Sequence, residues 1–227
     1  ECRCASEVDL AAGCAREVED AAARLRPHFR RPEAWDHARD YLRGLRRLCD
    51  ERDWLLMLDE VQCGIGRTGK WFAHQWADIQ PDVMPLAKGL GSGVPVGAVV
   101  VGPKAKDVLG PGNHGTTFGG NPLAMRAGVE TLRIMVEDGV MANAAAVGAA
   151  LKAGLERELK GVAGVVEVRG QGLMLGIELD RPCGVLLQRA AGAGLMLSVT
   201  ADKVIRLVPP LILSADEAAQ IVAILCP

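Results

Sequence analysis

The sequence predicts an α/β fold, and three observations carry that prediction. Two runs of strand length, "WLLMLDE" (residues 54–60) and "PVGAVVVG" (95–102), are almost continuously apolar, the pattern of strands covered on both faces of a parallel sheet. Long segments with helix-cap signals follow them, and the C-terminal third alternates strand-like and helix-like stretches. With 227 residues, 49% hydrophobic and 24% charged, the chain is large enough to bury a core and has an ordinary globular composition.

Taken in order, "CAREVEDAAARL" reads as a surface helix, since few large apolar side chains recur at helical spacing. "RPHFRRPEAW" reads as a loop broken by Pro27 and Pro32. In "RDYLRGLRRLCDERD" Leu42, Leu45, Leu48 and Cys49 share one helical face. Past the two apolar runs, Asn121 is an N-cap with Pro122 at the first position of a long helix. Gly139 interrupts it before the Ala-rich "MANAAAVGAALKAGLERELK". "VVEVRGQGLMLGIEL" is a strand, a glycine turn and a strand; "GVLLQRAAGAG" is a helix; "LMLSVTADKVIRLVP" is a hairpin. Ser214 and Glu217 form a capping box that opens the last helix, "ADEAAQIVAIL".

Composition narrows the function classes. Lys+Arg is 26 against Asp+Glu 28 with no basic stripe, so no nucleic-acid partner is expected. Glycine, proline or charge breaks every apolar stretch before it could span a bilayer, so no membrane partner is expected either. "ECRCASEVDL" lacks the apolar region of a signal peptide, and the seven cysteines are an odd, irregular set. Together these predict free thiols in the cytoplasm. Cys2-x-Cys4 has no second ligand pair at zinc spacing, so no metal site is expected.

"DEVQCGIGRTGKW" (59–71) satisfies two glycine patterns at once, G-x-G-x-x-G and G-x-x-x-x-G-K. A P-loop needs Ser or Thr after Lys70 and meets Trp71. A dinucleotide fingerprint needs its glycines directly after the strand, where "DEVQC" intervenes, and Asp82 stands elsewhere, in "QPDVMPLAK". The chemistry is better sought in Asp59 and Lys88. Asp59 ends an apolar strand, where open α/β sheets bind ligands, although a cap or a salt bridge would also account for it. Lys88 follows an apolar segment and precedes a glycine-rich turn, which predicts a partly buried amine of the kind a Schiff-base lysine requires; alone it would more simply be a surface charge. A carboxylate paired with such a lysine suits pyridoxal phosphate: the acid keeps the ring nitrogen protonated, and the amine anchors the cofactor and moves protons.

Four ordered stretches carry a resemblance. "LLMLDEVQCGIGRTGKWFAHQWADIQPDVMPLAKGLGSGVPVGAVV", "NHGTTFGGNPLAMRAG", "VRGQGLMLGIEL" and "VIRLVPPLILS" are similar to the class III (ornithine-type) aminotransferases, pyridoxal-phosphate enzymes of fold-type I. The resemblance runs from about residue 40 to the C-terminus. It implies a partial cofactor-binding large domain over residues 40–125, then an interdomain helix and a C-terminal α+β small domain over 126–227. It also implies a homodimer that moves the terminal amino group of N-acetylornithine or succinyldiaminopimelate to 2-oxoglutarate, in arginine or lysine biosynthesis. By the same resemblance Lys88 would hold the cofactor covalently and Asp59 would pair with its ring nitrogen. Gln62 would bind the ring hydroxyl, Val61 would pack on the ring face, and Glu60 belongs to the same cofactor-binding stretch. Thr117 would bind cofactor phosphate, typically across a dimer interface, Thr116 would lie near substrate, and Arg206 would grip the substrate α-carboxylate, a task that suits a bidentate guanidinium. Gly64, Gly66 and Gly69 would let a loop turn beside the cofactor, with Arg67 and Lys70 solvated or facing another subunit. Arg169 is read as structural or as a support to the residues that touch substrate, and His114 as a solvated loop residue.

Residues 1–39 depart from the family. Its upstream phosphate cup at a helix N-terminus, ring-stacking aromatic and "Q-G-E-G-G"-like stretch are not found before residue 40. Two other readings therefore stay open: a catalytically inactive remnant or dimerisation partner, and a nucleotide-binding protein built on the glycines.

Overall fold

The computed structural model describes residues 34–226, so the helix and most of the loop expected before residue 34 lie outside it. Helix α1 (Ala34–Glu51) sets Cys49 into the interior, as its apolar spacing predicts. Its Arg46 reaches across to Asp82 at 2.8 Å, and Asp82 also accepts the Leu56 N–H at 2.7 Å. Burial raises the Asp82 pKa, but these hydrogen bonds and the Arg46 charge outweigh it and hold the carboxyl below its ordinary value. Asp82 is thus a strut between α1 and the chain before β1, and not a ribose ligand.

Strand β1 (Val83–Leu86) pairs antiparallel with β2 (Ala98–Val101). The run expected as a strand at 54–60 pairs with β1 on one side only: a single parallel bridge joins Met57 to Val83, and the Leu58 and Glu60 N–H groups donate to the Val83 and Pro85 carbonyls. Neither apolar run is covered on both faces, since Met57 is 62% exposed and all four residues of β2 are exposed. The valines of 99–101 suit extended backbone wherever it lies, so composition foretold the conformation of β2 and not its coverage.

Helix α2 (Pro122–Glu137) starts as expected, the Asn121 side chain accepting the Ala124 N–H at 3.0 Å. Gly139, at φ 63°, turns the chain into α3 (Val140–Glu158). The rest is a four-stranded antiparallel sheet in the order β3-β4-β6-β5, from β3 (Val165–Gln171), β4 (Met174–Leu179), β5 (Ser198–Thr200) and β6 (Val204–Leu207). Helix α4 (Val185–Gly192) links β4 to β5, and α5 (Ala215–Leu225) begins at the Ser214–Glu217 capping box. Leu151 and Leu155 of α3, Leu175 and Ile177 of β4, Ile205 and Leu207 of β6 and Ile221 of α5 form the main core. A smaller cluster joins Ile65, Met84, Leu86 and Leu90 to Met135 and Val140 at the α2–α3 corner. Cys49, Cys63, Cys183 and Cys226 are free thiols. Among the described residues no single helix is long and apolar enough to cross a membrane.

Candidate active site

The parallel bridge at Met57 fixes the register that matters. Since the Glu60 N–H donates to the Pro85 carbonyl at 3.2 Å, Asp59 stands level with the middle of β1, and the chain leaving β1 reaches Lys88 three residues beyond Pro85. Asp59 and Lys88 therefore occupy the C-terminal ends of two adjacent parallel segments. One oxygen of Asp59 accepts the Val61 N–H at 2.8 Å, which folds the chain into the turn that follows. Lys88 differs from expectation: it is exposed. It opens a single 3-10 turn (Lys88–Leu90) with φ at 44°, so that Leu90 enters the small cluster and the lysine side chain is turned outward. A side-chain residue held at positive φ is strained, and such strain gathers at functional positions.

Glu60 also departs from its expected place among the cofactor contacts. It is 2% exposed, and its carboxylate is spent on the protein. It accepts the Ala73 and His74 N–H groups, both at 2.9 Å, approaches His74 Nδ1 at 3.0 Å, and takes the Cys63 thiol at 3.0 Å. Burial raises the Glu60 pKa, but hydrogen bonds from His74, Ala73 and Cys63 outweigh it and hold the carboxyl below its ordinary range. Burial and the neighbouring carboxylate push the Cys63 thiol up to about 12, so it stays protonated and serves as a donor. Glu60 thus pins the turn that presents its neighbours Asp59, Val61 and Gln62. Sequence reading missed this cradle because no motif or period links residue 60 to residue 74.

The loop from 61 to 70 is seated on the C-terminal sheet. Gly66 and Gly69 have φ of 80° and 89°, and a Cβ on Gly69 would lie 2.9 Å from that of Ala145 in α3. These glycines let the loop turn tightly and approach the helices closely. Lys70 lies over the Trp76 ring at 4.3 Å and donates to the Gln75 carbonyl. Arg67, expected to be solvated or to face another subunit, instead donates to the carbonyls of Leu173 and Pro209 in its own chain. No pattern in the sequence signals this, since both acceptors are backbone atoms far along the chain.

Alternation along β6 sends Ile205 and Leu207 into the core and Arg206 to the opposite face. There Arg206 Nε donates to Ser198 Oγ at 3.0 Å and Nη1 reaches Gln62 Oε1 at 3.5 Å, so two predicted residues 144 positions apart meet. Gly176 faces Arg206 in the register and Arg169 faces Gly176, which puts both arginines in one row of the sheet. Their partners differ. Arg169 is ion-paired with Glu167 and Glu178, which raise its pKa against the lowering by burial. Arg206 has only neutral partners among the described residues, which leaves its charge free for an anion. A cavity of about 420 Å³ opens beside it, lined by Leu197, Ser198, Val208, Pro210 and Ile221 among others. Thr116 and Thr117 lie apart, in an exposed turn where Thr116 Oγ1 accepts the Gly119 N–H, and His114 is exposed in the same stretch.

Among the described residues no group of three or more His, Cys, Asp or Glu could hold a metal ion. A family model, Aminotransferase class-III, matches residues 35–226. The acetylornithine aminotransferase 1 of Bordetella bronchiseptica is 64% identical over 187 residues, covering 82% of this chain and 48% of that protein. The acetylornithine aminotransferase of Nitrosomonas europaea is 53% identical, over 81% of this chain and 47% of that one. The chain spans about half the length of the curated relatives it matches. Among solved structures, the ornithine δ-aminotransferase of Plasmodium falciparum superposes with a TM-score of 0.79 at 34% identity, covering 83% of this chain and 50% of that one. The acetylornithine aminotransferase of Elizabethkingia anophelis superposes with a TM-score of 0.77 at 33% identity, covering 81% and 47%. This chain belongs to the class-III aminotransferase family, whose fold is that of the fold-type I transferases and whose cofactor is pyridoxal 5'-phosphate.

Proposed function

We propose that the chain carries the reactive-lysine half of an aminotransferase site that moves the terminal amino group of N-acetylornithine, or of succinyldiaminopimelate, to 2-oxoglutarate. The observation that carries this is the placing of Asp59 and Lys88 at the ends of adjacent parallel segments, with Gln62 of the turn after Asp59 hydrogen-bonded to Arg206. These groups fit the reactive side of pyridoxal phosphate: a carboxylate for the ring nitrogen, an outward amine for the carbonyl carbon, and an amide for the ring hydroxyl. When bound, the cofactor supplies an electron sink. Lys88 holds it and moves a proton at its Nζ, Asp59 keeps the ring nitrogen protonated, and Val61 packs on the ring. Glu60 supports the turn from below. Arg206, the arginine of the row without a carboxylate partner, orients the substrate through its carboxylate.

Residues 40–125 are assigned to the cofactor-binding domain and 126–227 to the interdomain helix and small domain; the family match begins at residue 35, a few residues before the boundary expected from the sequence. The assembly is read as a homodimer in which the exposed Thr117 serves the phosphate of a neighbouring site and Thr116 lies near substrate. The names of the acetylornithine aminotransferases support the donor assignment. A second reading, an inactive relative that acts only as a folded partner, is favoured by the exposure of Lys88. Incubation with pyridoxal phosphate separates the two. An active site gives a visible absorption band that borohydride bleaches and Lys88→Ala abolishes. No band at saturating cofactor leaves only the inactive reading.

A further inference from the structure

Arg67 is a part-buried cation of this region that the proposed reaction does not use. Its Nη1 donates to the Leu173 carbonyl at 3.1 Å and to the Pro209 carbonyl, residues 106 and 142 positions further along the chain. The Leu173 N–H returns a hydrogen bond to the Arg67 carbonyl at 3.0 Å. No carboxylate pairs with it among the described residues, and burial pushes its pKa down. A cation in that setting costs stability unless hydrogen bonds hold it. Here those bonds join three segments: the loop that begins at Gln62, the β3–β4 turn, and the exit of β6 three residues after Arg206. The seat is tight, since a Cβ on Gly172 would stand 2.5 Å from the Thr68 carbonyl carbon. Lysine would keep the charge but replace the planar, pre-oriented Nη1 group, whose two N–H bonds reach the two carbonyls, with a tetrahedral ammonium on a flexible stem.

We infer that Arg67 is a positioning residue for carboxylate recognition: it fixes the 61–70 loop on the end of β6 and so sets where Arg206 stands relative to Gln62, Asp59 and Lys88. The inference rests on Arg206 being the receptor for a substrate carboxylate, and the ligand class it serves is a dicarboxylate with the carbon skeleton of 2-oxoglutarate.

The test uses the full 227-residue chain with Arg67→Lys and Arg67→Met. In amide hydrogen exchange, residues 61–70 and 172–174 should open together, about tenfold faster than in the parent, while the α3 core keeps its rates. In calorimetric titration with glutarate, Arg67→Lys should weaken binding about tenfold, the size expected for a lost hydrogen bond to a charged group. In an Arg206→Lys background the same change should add nothing further, an effect that general destabilisation would not produce. Unchanged exchange in those two segments, or a glutarate loss of equal size with and without Arg206, overturns the inference, and so does a parent chain that binds no glutarate. A parent chain that binds glutarate but gives no cofactor band sinks the aminotransferase reading alone.

Discussion

The sheet of β3 to β6 with α3 and α5 keeps Leu155 and Leu173 at 0% exposure and Leu151 at 1%. The region that carries Asp59 and Lys88 does the reverse with side chains of the same kind. Val99, Val100 and Val101 of β2 are 63%, 48% and 44% exposed, and α2 shows Leu123, Val129 and Val136 at 72%, 60% and 64%. Helix α2 buries Ala124, Gly128 and Met135 and turns several larger apolar residues outward. Contiguous exposed apolar surface marks a face made to be covered. The contrast teaches that the C-terminal sheet and its helices carry most of the apolar burial, and that the Asp59 turn persists through the polar bonds of Glu60 more than through a core.

If so, the largest loss of stability should come from the closed region. Leu155→Ala removes a fully buried side chain from the main core and is expected to cost about 2–5 kcal/mol in denaturant unfolding. A cost below about 1 kcal/mol would mean that this core is looser than its burial implies. The next effect lies in the open region and is polar. Glu60→Ala orphans the Ala73 and His74 N–H groups, at about 1–3 kcal/mol for each buried group left without a partner. Its pH dependence has a definite sign. The folded-state pKa of Glu60 lies below that of an ordinary glutamate, so its stabilisation is fully present above the ordinary value and is lost as pH falls through the folded pKa. Glu60→Gln should flatten that acid limb of the unfolding midpoint, and an unchanged limb would assign it to other carboxyls.

The legible parts of the fold were those with local causes. Asn121 with Pro122, Gly139 and the Ser214–Glu217 box mark helix ends through bonds a few residues long, and each stands where the sequence put it. The β4 and β6 faces were legible for the same reason, because alternation decides which side chains enter the core. Coverage was not legible, since nothing in "PVGAVVVG" says what packs on it. The site divides along the same line. The strand-end places of Asp59 and Lys88 could be read from the sequence, whereas the exposure of Lys88 could not. Arg67 and the cradle of Glu60 depend on backbone groups brought near by tertiary packing, which leaves no residue pattern to read.

The smallest effect is the sharpest probe of the comparison. Val99→Lys replaces a β-branched residue at 63% exposure, so it empties no cavity and strands no polar group. Its effect on the unfolding midpoint should stay within about 0.5 kcal/mol, as for surface changes that touch no special feature. Binding of a hydrophobic dye to the folded chain should nevertheless fall, because the charge interrupts the apolar strip that runs along β2. A cost near that of Leu155→Ala would mean that Val99 is covered in solution, and the line between the open and closed regions would then have to be redrawn at β2.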